Sequence, residues 1–394
     1  MRSRFHGAAR QLMRILHVAA LPFPSRQGTQ VYIRQMVERQ ARRGHEVHLL
    51  TYAHGEENFS PEGYRVHRLA DFPAFSSMRS GPSWRKVLLD ARMAAAVERL
   101  VRSLSPDLVH AHHYEGLAAS LLGSLGRRPV LYHAHTLLGP ELPTYHASGR
   151  LAKAAAERLG LAADRFLPSL AGACVAISPL LRETLIGHGV PAGRVFFVPP
   201  ALEIEHHGRP AHGRRAAAAD LVYAGNLDGY QGIEAMFEGM AELARTGRRP
   251  SLRIVTDSAT EKHAALARRL GIAENVSFEP HGDFAGAADR IRSSSIAVAP
   301  RSIPGGFPMK LINYLRLGKP VLASPHGAGG LVDGREILVF GTPRQFAAAA
   351  GRLLDDAAMR KSVARAGARR AAELFSWPGA LDVLDGVYGF LLGY

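Results

Sequence analysis

Leu221-Val222-Tyr223-Ala224-Gly225-Asn226-Leu227-Asp228-Gly229-Tyr230-Gln231-Gly232 is a short apolar run that breaks into a glycine-rich loop, and a helical pattern begins directly after it, near Ile233. A strand feeding a helix through such a loop is the repeating unit of a parallel, doubly wound α/β sheet. Toward the C-terminus the unit recurs at Leu252-Arg253-Ile254-Val255, Val276-Ser277-Phe278, Ile296-Ala297-Val298-Ala299 and Pro320-Val321-Leu322-Ala323. Toward the N-terminus there is an independent series. Ile15-Leu16-His17-Val18-Ala19 reads as a buried strand, 22–28 as a loop, 31–43 as a helix closed by Gly44, and 46–51 as the next strand. Strand signals follow at 107–111, 129–133 and 172–177, the last of them after an Ala-rich helix around 151–161.

Between Pro199 and Ala219 the period stops, and the polar stretch 203–215 reads as a linker. The domain expectation is a basic leader at 1–12, a first Rossmann-like domain at 13–200, a linker at 201–218 and a second Rossmann-like domain at 219–376. A last helix, 381–392 after the breaker Trp377-Pro378-Gly379, has apolar residues on more than one face and is expected to pack at a domain junction, with 377–394 returning to the first domain. At 394 residues and 47% hydrophobic content the chain suits two such cores, facing each other across a cleft.

Lys and Arg outnumber Asp and Glu by 49 to 34, for a net charge of +15, so an anionic partner is expected: a phosphorylated substrate, an anionic lipid surface or nucleic acid. No nucleic-acid recognition motif accompanies the charge, and nucleic acid is not expected. One cysteine, Cys174, excludes an internal disulfide framework and fits a reducing interior such as the cytoplasm. The apolar run 15–21 is too short to span a bilayer.

Two segments carry the candidate chemistry. In the loop after 221–224, Gly225, Asn226 and Gln231 stand where free backbone N–H groups and side chains can meet a phosphate; an ordinary glycine-rich turn is the alternative. The spacing is neither the Walker pattern nor a good dinucleotide fingerprint. The richest stretch is Pro300-Arg301-Ser302-Ile303-Pro304-Gly305-Gly306-Phe307-Pro308-Met309-Lys310-Leu311-Ile312-Asn313-Tyr314-Leu315-Arg316-Leu317-Gly318-Lys319-Pro320-Val321. A strand ends at Pro300, Gly305 and Gly306 allow close approach of a ligand, and a helix begins near Pro308. Lys310 in its first turn opposes the helix dipole, a conflict that a bound anion relieves. Asn313 lies one turn beyond Met309, where a carboxamide can bond sugar hydroxyls.

This stretch resembles the donor-site signature of the retaining glycosyltransferases of the family 4 type, E-G-F-x-x-x-x-x-E-x-M-x-x-G-x-P-V. Other motifs fall in the family's order: Gly28-Thr29, Arg43-Gly44-His45-Glu46-Val47, Pro106-Asp107-Leu108-Val109-His110-Ala111-His112, His133-Ala134-His135-Thr136, Ala176-Ile177-Ser178 and Val195-Phe196-Phe197-Val198-Pro199-Pro200. The resemblance implies a GT-B fold and a nucleotide-diphosphate-sugar donor held mainly by the second domain. It implies transfer with retention to a glycan or lipid-linked acceptor on the first domain, with no obligatory cofactor or metal. By the same resemblance Gly305, Gly306, Phe307, Pro308, Met309, Lys310 and Leu311 approach the diphosphate and sugar, Asn313 the ribose, and His135 the donor as the catalytic-side histidine. Gly28, Thr29 and His112 fall on the acceptor side.

The departures fall at charged positions. Gly305 and Asn313 stand where the family carries glutamates, and Asn226 and Gln231 where it carries a cationic pair, so Arg301 and Lys310 are the replacement cations expected. Asp257 ends a strand where glycine is more usual in the family. Two rivals keep the fold: a noncatalytic nucleotide-sugar-binding or partner subunit, and a nucleotide-sugar 2-epimerase.

Of 19 histidines, His110, His112 and His113 cluster at one strand end and His133 and His135 at the next, while His206 and His207 belong to the linker. Strand alternation sends His113 away from His110 and His112, no H-E-x-x-H is present, and cleft-lining hydrogen bonding is expected rather than a metal site. Residues 80–89 and Arg2, Arg4 and Arg10 put basic and aromatic residues in the first half, consistent either with peripheral contact to the inner face of a membrane or with a basic soluble surface.

Overall fold

The computed structural model describes residues 11–25, 28–53, 55, 60–70, 84–145, 149–202, 218–282 and 284–394, with side chains left out at 84–87 and 284. Most of the expected linker, the leader arginines and the basic stretch 80–87 therefore lie outside the described side chains. Contacts divide the chain into two units, Met1–Ala201 with Gly305–Phe307 and Ser376–Tyr394, and Leu202–Pro304 with Pro308–Phe375.

In the first unit the elements run β1 (Arg14–Ala19), α1 (Gly28–Arg42), β2 (Glu46–Thr51), β3 (Arg65–Arg68), α2 (Trp84–Leu104), β4 (Leu108–His112), α3 (His113–Ser124), β5 (Val130–Ala134), α4 (Leu138–Tyr145), α5 (Arg150–Phe166), β6 (Ala173–Ala176), α6 (Pro179–Gly187) and β7 (Val195–Phe197). All strands are parallel, in the order β3-β2-β1-β4-β5-β6-β7. The central strands are buried on both faces, which is why β1 and β4 carry almost no exposed residue. Ile33 and Val37 of α1 pack with Val47 and Leu49 of β2 on one side of the sheet. Register sets His17 beside His110 and His112 beside His133, so three strands contribute imidazoles to one face.

The second unit contains β8 (Ala219–Ala224), α7 (Ile233–Arg245), β9 (Leu252–Val255), α8 (Glu261–Arg269), β10 (Val276–Glu279), α9 (Phe284–Arg292), β11 (Ser294–Ala299), α10 (Met309–Arg316), β12 (Val321–Ala323), β13 (Leu338–Val339), α11 (Pro343–Asp355) and α12 (Ala357–Leu374). Its six parallel strands are ordered β10-β9-β8-β11-β12-β13. Ile233, Met236, Phe237 and Met240 of α7 close over Leu221, Tyr223 and Ile254 with Phe346 of α11. In each sheet the strand order reverses beside the first strand of the unit, and ligands bind α/β sheets outside the carboxyl ends at such a reversal. The two loops there in the second unit follow β8 and β11, the two segments singled out from the sequence.

The structure differs from the sequence reading at three helix starts. Gly28, expected as the last residue of a loop, opens α1 with Thr29 after it. His113 is not a strand residue: β4 stops at His112, and His113 begins α3 with φ 60°, so alternation no longer governs its direction. Trp377-Pro378-Gly379 is the first turn of α13 (Trp377–Leu392) and not a break before it, because proline's missing N–H costs nothing at a helix start. The buried residues of α13 form a single stripe, Trp377, Ala380, Leu381, Leu384, Val387 and Tyr388. That stripe faces α1, where Trp377 stacks on Tyr32 at 5.4 Å and donates to Gln35 at 3.1 Å, and Arg43 bridges Asp382 and Asp385 at 2.8 and 2.7 Å.

Candidate functional site

In the second unit, Lys310 leans from the first turn of α10 under the loop that follows β8. Its Nζ donates to the Tyr223 hydroxyl at 2.5 Å and to Gln231 Oε1 at 2.8 Å, and lies 3.8 Å from the centre of the Tyr223 ring. Gln231 in turn donates to Asn226 Oδ1 at 2.8 Å, and Asn226 to the Tyr230 hydroxyl at 3.2 Å. Arg301 completes the row with its guanidinium 5.1 Å from the centre of the Tyr230 ring and its Nε on the Ile303 carbonyl at 3.2 Å. Gly225 has φ 141°, a conformation that side-chain-bearing residues rarely adopt, and a Cβ there would lie 2.9 Å from Lys310 Nζ. Gly232, at φ 72°, passes so near the Pro300 carbonyl that a Cβ would come to 2.0 Å.

Among the described residues no carboxylate comes within salt-bridge distance of Lys310. Burial pushes its pKa well below that of a free lysine, the neighbouring Arg301 adds to the drop, and Asp228 opposes it. Burial and Arg301 thus work against the charged form of Lys310, and an anion bound beside it would restore that charge. Asn226 and Gln231, expected from the resemblance to stand in place of a cationic pair, form a hydrogen-bonded bed for the lysine supplied by α10. Asn313 sits farther along that helix with a buried Oδ1 that has no hydrogen-bond partner among the described residues. Gly305 and Gly306 both take positive φ, 89° and 38°, and Phe307 and Pro308 are buried. Pro308 immediately precedes Met309, the first residue of α10. The Leu311 side chain is fully buried and its N–H is already given to the Pro308 carbonyl, so Leu311 is a core residue and not a ligand contact. Asp257 Oδ1 accepts from the His281 N–H at 2.8 Å, which ties its strand end to the loop after β10.

In the first unit, His17, His110, His112, His133 and His135 are all buried on one sheet face. They form two hydrogen-bonded rows. One runs His17 Nδ1 to His112 Nε2 at 3.0 Å and His112 Nδ1 to His135 Nε2 at 3.1 Å; the other runs from the Tyr388 hydroxyl to His110 Nδ1 at 2.7 Å and from His110 Nε2 to His133 Nδ1 at 2.9 Å. Burial holds every one below the usual histidine pKa, with His17 and His133 lowered to about 3. His113, against the sequence expectation, joins this face by stacking on His135 at 4.4 Å.

Two triplets, His17–His110–His112 and His112–His133–His135, hold ring nitrogens within 4.8 Å of one another, a donor set suited to zinc or copper. Yet the rows lie over one another with rings nearly parallel, His110 on His112 at 17° and His133 on His135 at 14°. Lone pairs lie in the ring planes, so they run along the rows instead of converging on one point.

The structure thus unites Gly225, Asn226, Gln231, Arg301 and Lys310 in one site and His112 with His135 in another, while Gly28 and Thr29 lie at the start of α1. Sequence reasoning missed Tyr223, Tyr230, Tyr388 and Gln40. Tyr223 had a signal, a hydroxyl inside an otherwise apolar strand; Gln40 and Tyr388 lie on different helices and only the fold joins them.

Residues 27–201 match a family model described as a glycosyl transferase 4-like domain, and residues 218–356 one described as glycosyl transferases group 1. Among curated proteins, a D-inositol 3-phosphate glycosyltransferase of Kineococcus radiotolerans is 27% identical over 398 residues, covering 92% of this chain and 90% of that one. Another of the same name, from Streptomyces avermitilis, is 30% identical over 315 residues, covering 72% and 65%. Among solved structures, sucrose-phosphate synthase from Thermosynechococcus elongatus superposes with TM-score 0.80 at 19% identity, covering 97% of this chain and 99% of that one. Anabaena Alr3699/HepE in complex with UDP does so with TM-score 0.70 at 16% identity, covering 97% and 100%.

Proposed function

Since this chain belongs to the GT-B glycosyltransferases of the family 4 type, we propose that it transfers a sugar, with retention, from a nucleotide-diphosphate-sugar bound by the second domain to an acceptor bound by the first. The observation that carries this is Lys310, a buried lysine bedded on Tyr223 and Gln231 with no carboxylate in salt-bridge distance among the described residues, at the carboxyl end of β8. Breaking the bond to the diphosphate builds negative charge on the leaving group, and fixed cations and N–H donors at that point stabilise it without a metal. Gly305, Gly306, Phe307, Pro308 and Met309 supply close backbone approach, Asn313 the ribose contact, and His135, with Gly28 and Thr29, the sugar and acceptor side; His112, fully buried with both ring nitrogens bonded to His17 and His135, stands behind His135 and not on the acceptor side as the sequence suggests.

The solved relatives bound to UDP make UDP-sugars the first donors to try. The curated relatives are named for D-inositol 3-phosphate, which makes a phosphorylated polyol an acceptor to try beside glycans and lipid-linked alcohols. A thermal-shift screen of UDP-, GDP- and ADP-sugars tests the donor reading, because a ligand that binds only the native state raises its melting temperature. One nucleotide class should stand out, and no shift with any would count against the proposal.

The membrane part of the proposal rests on α5. Only Ala156, Gly160 and Asp164 are buried along it, whereas Leu151, Ala155, Leu159, Ala162 and Phe166 share an exposed face at helical spacing with the exposed Arg158 and Arg165 beside it. An apolar stripe flanked by arginines suits the interface of an anionic bilayer. No helix among the described residues is long and apolar enough to cross a membrane.

A further inference from the structure

The two histidine rows take their direction from the orientation of one amide, that of Gln40. Gln40 Nε2, a donor only, gives to the Tyr388 hydroxyl at 2.6 Å. Tyr388 therefore spends its own proton on His110 Nδ1, at 2.7 Å. A neutral imidazole has one donor and one acceptor, so His110 donates from Nε2 to His133 Nδ1, at 2.9 Å. His133 is then left with its Nε2–H toward the Tyr32 hydroxyl at 3.4 Å.

The second row is anchored by the other end of the same amide. With Nε2 of Gln40 committed, its Oε1 remains, buried and without a hydrogen-bond partner among the described residues, as does His17 Nε2. The Gln40 side chain lies against His17 and favours a proton on it, and these are the two polar atoms the pair leaves unmatched. An N–H on His17 Nε2 facing the Gln40 oxygen satisfies both orphans, whereas the opposite polarity would set two lone pairs against each other. With Nε2 of His17 protonated, its Nδ1 must accept from His112 Nε2, and His112 Nδ1 from His135 Nε2. Burial and the neighbouring His113 keep His135 neutral at pH 7, so the assignment for neutral rings applies to it.

We propose that Gln40, through His17 and His112, holds His135 as the Nε2–H tautomer, so that its free nitrogen, Nδ1, can only accept a hydrogen bond and selects a ligand hydroxyl over a phosphate oxygen. The second half of this rests on the reading of His135 as a ligand-facing residue; the first half does not. Gln40, His17 and His112 are positioning residues here, and the stack of His113 on His135 at 4.4 Å helps fix the plane of that ring. A phosphate oxygen is an acceptor and finds no donor on such a ring, whereas a sugar or polyol hydroxyl donates to it.

The test is nitrogen NMR of the full chain labelled at histidine, with resonances assigned by single substitutions. In the unliganded protein at pH 7.5, His17, His112 and His135 should each show a protonated Nε2 and a bare Nδ1. A protonated Nδ1 on His112 or His135, or two nitrogens of one ring averaged to the same shift, overturns the proposal. Gln40→Leu should release the row and populate the other tautomer of His135; an unchanged His135 in a folded Gln40→Leu protein overturns the anchoring role. With UDP-glucose bound, His135 Nδ1 should move in the direction of an accepted hydrogen bond, and with UDP alone it should stay. If UDP-glucose binds and Nδ1 does not move, hydroxyl selection is wrong. If UDP-glucose does not bind at all, the donor reading fails for that sugar, while the tautomers of the unliganded protein still decide the lock.

Discussion

Lys310 was legible as an anion-binding candidate from its place in a first helical turn, but its environment was not. Its partners Tyr223 and Gln231 lie 87 and 79 residues away in sequence and meet it only through the crossing of α10 and β8. The same contacts put Lys310 of the other segment beside Asn226 and Gln231, where the resemblance leads one to expect cations. Lys310→Ala should weaken UDP-sugar binding at least tenfold, about 1.4 kcal/mol, with Arg301→Ala adding to it; calorimetric affinities equal to wild type would remove both residues from the donor site. Gly232 makes a separate prediction, about stability. Its φ of 72° and the 2.0 Å approach of a Cβ to the Pro300 carbonyl mean that Gly232→Ala must displace the loop. It should cost more than about 1 kcal/mol in urea unfolding, and a loss within error would show that the loop relaxes freely.

At the scale of elements, the sequence marked most strands of both sheets because parallel strands buried on both faces read as continuous apolar runs. It did not mark β3, half exposed and carrying Arg65 and Arg68, or β13, two residues long. Helix starts were less legible than strands, as Gly28, His113 and Pro378 show, because a helix's first turn is set by local backbone geometry that composition barely constrains. Helix α5 was visible as an Ala-rich stretch, yet only the fold reveals which of its faces is covered. The narrow buried strip depends on Gly160, where a Cβ would meet the Leu138 carbonyl carbon at 2.6 Å, and on Asp164, which accepts from the Leu138 and Gly139 N–H groups at 2.9 Å each. The opposite face gives the prediction: Leu159→Asp with Phe166→Asp should abolish co-sedimentation with vesicles containing anionic lipid, leaving the melting temperature unchanged. Equal retention by the double variant would place membrane contact elsewhere or nowhere.

For the whole molecule, the buried histidines couple folding to pH. Each is neutral in the fold, with His17 and His133 lowered to about 3, while in the unfolded chain it takes up a proton near its ordinary value of 6.5. The unfolded state thus binds more protons below that value, so stability is full above pH 6.5 and falls as pH drops toward 3. Every histidine that stays neutral contributes up to ~1.4 kcal/mol per pH unit to the slope. Urea unfolding between pH 6 and pH 4.5 should therefore show a slope steeper than that of one proton, and a flat profile would contradict the burial of the rows. The sequence announced these residues by number and clustering, but alternation along one strand cannot tell that neighbouring strands in register bring five rings to one face.

Helix α13 gives this face its cover, through Tyr388 on His110 and Trp377 on Tyr32. It is encoded after the entire second domain. During synthesis, then, the second domain can complete its fold while the first is still waiting for a piece of itself. A nascent chain halted after α12 would carry an N-terminal sheet with its imidazole rows uncovered and Arg43 without its two aspartates. The first domain to be translated thus depends for its completion on the last residues of the chain.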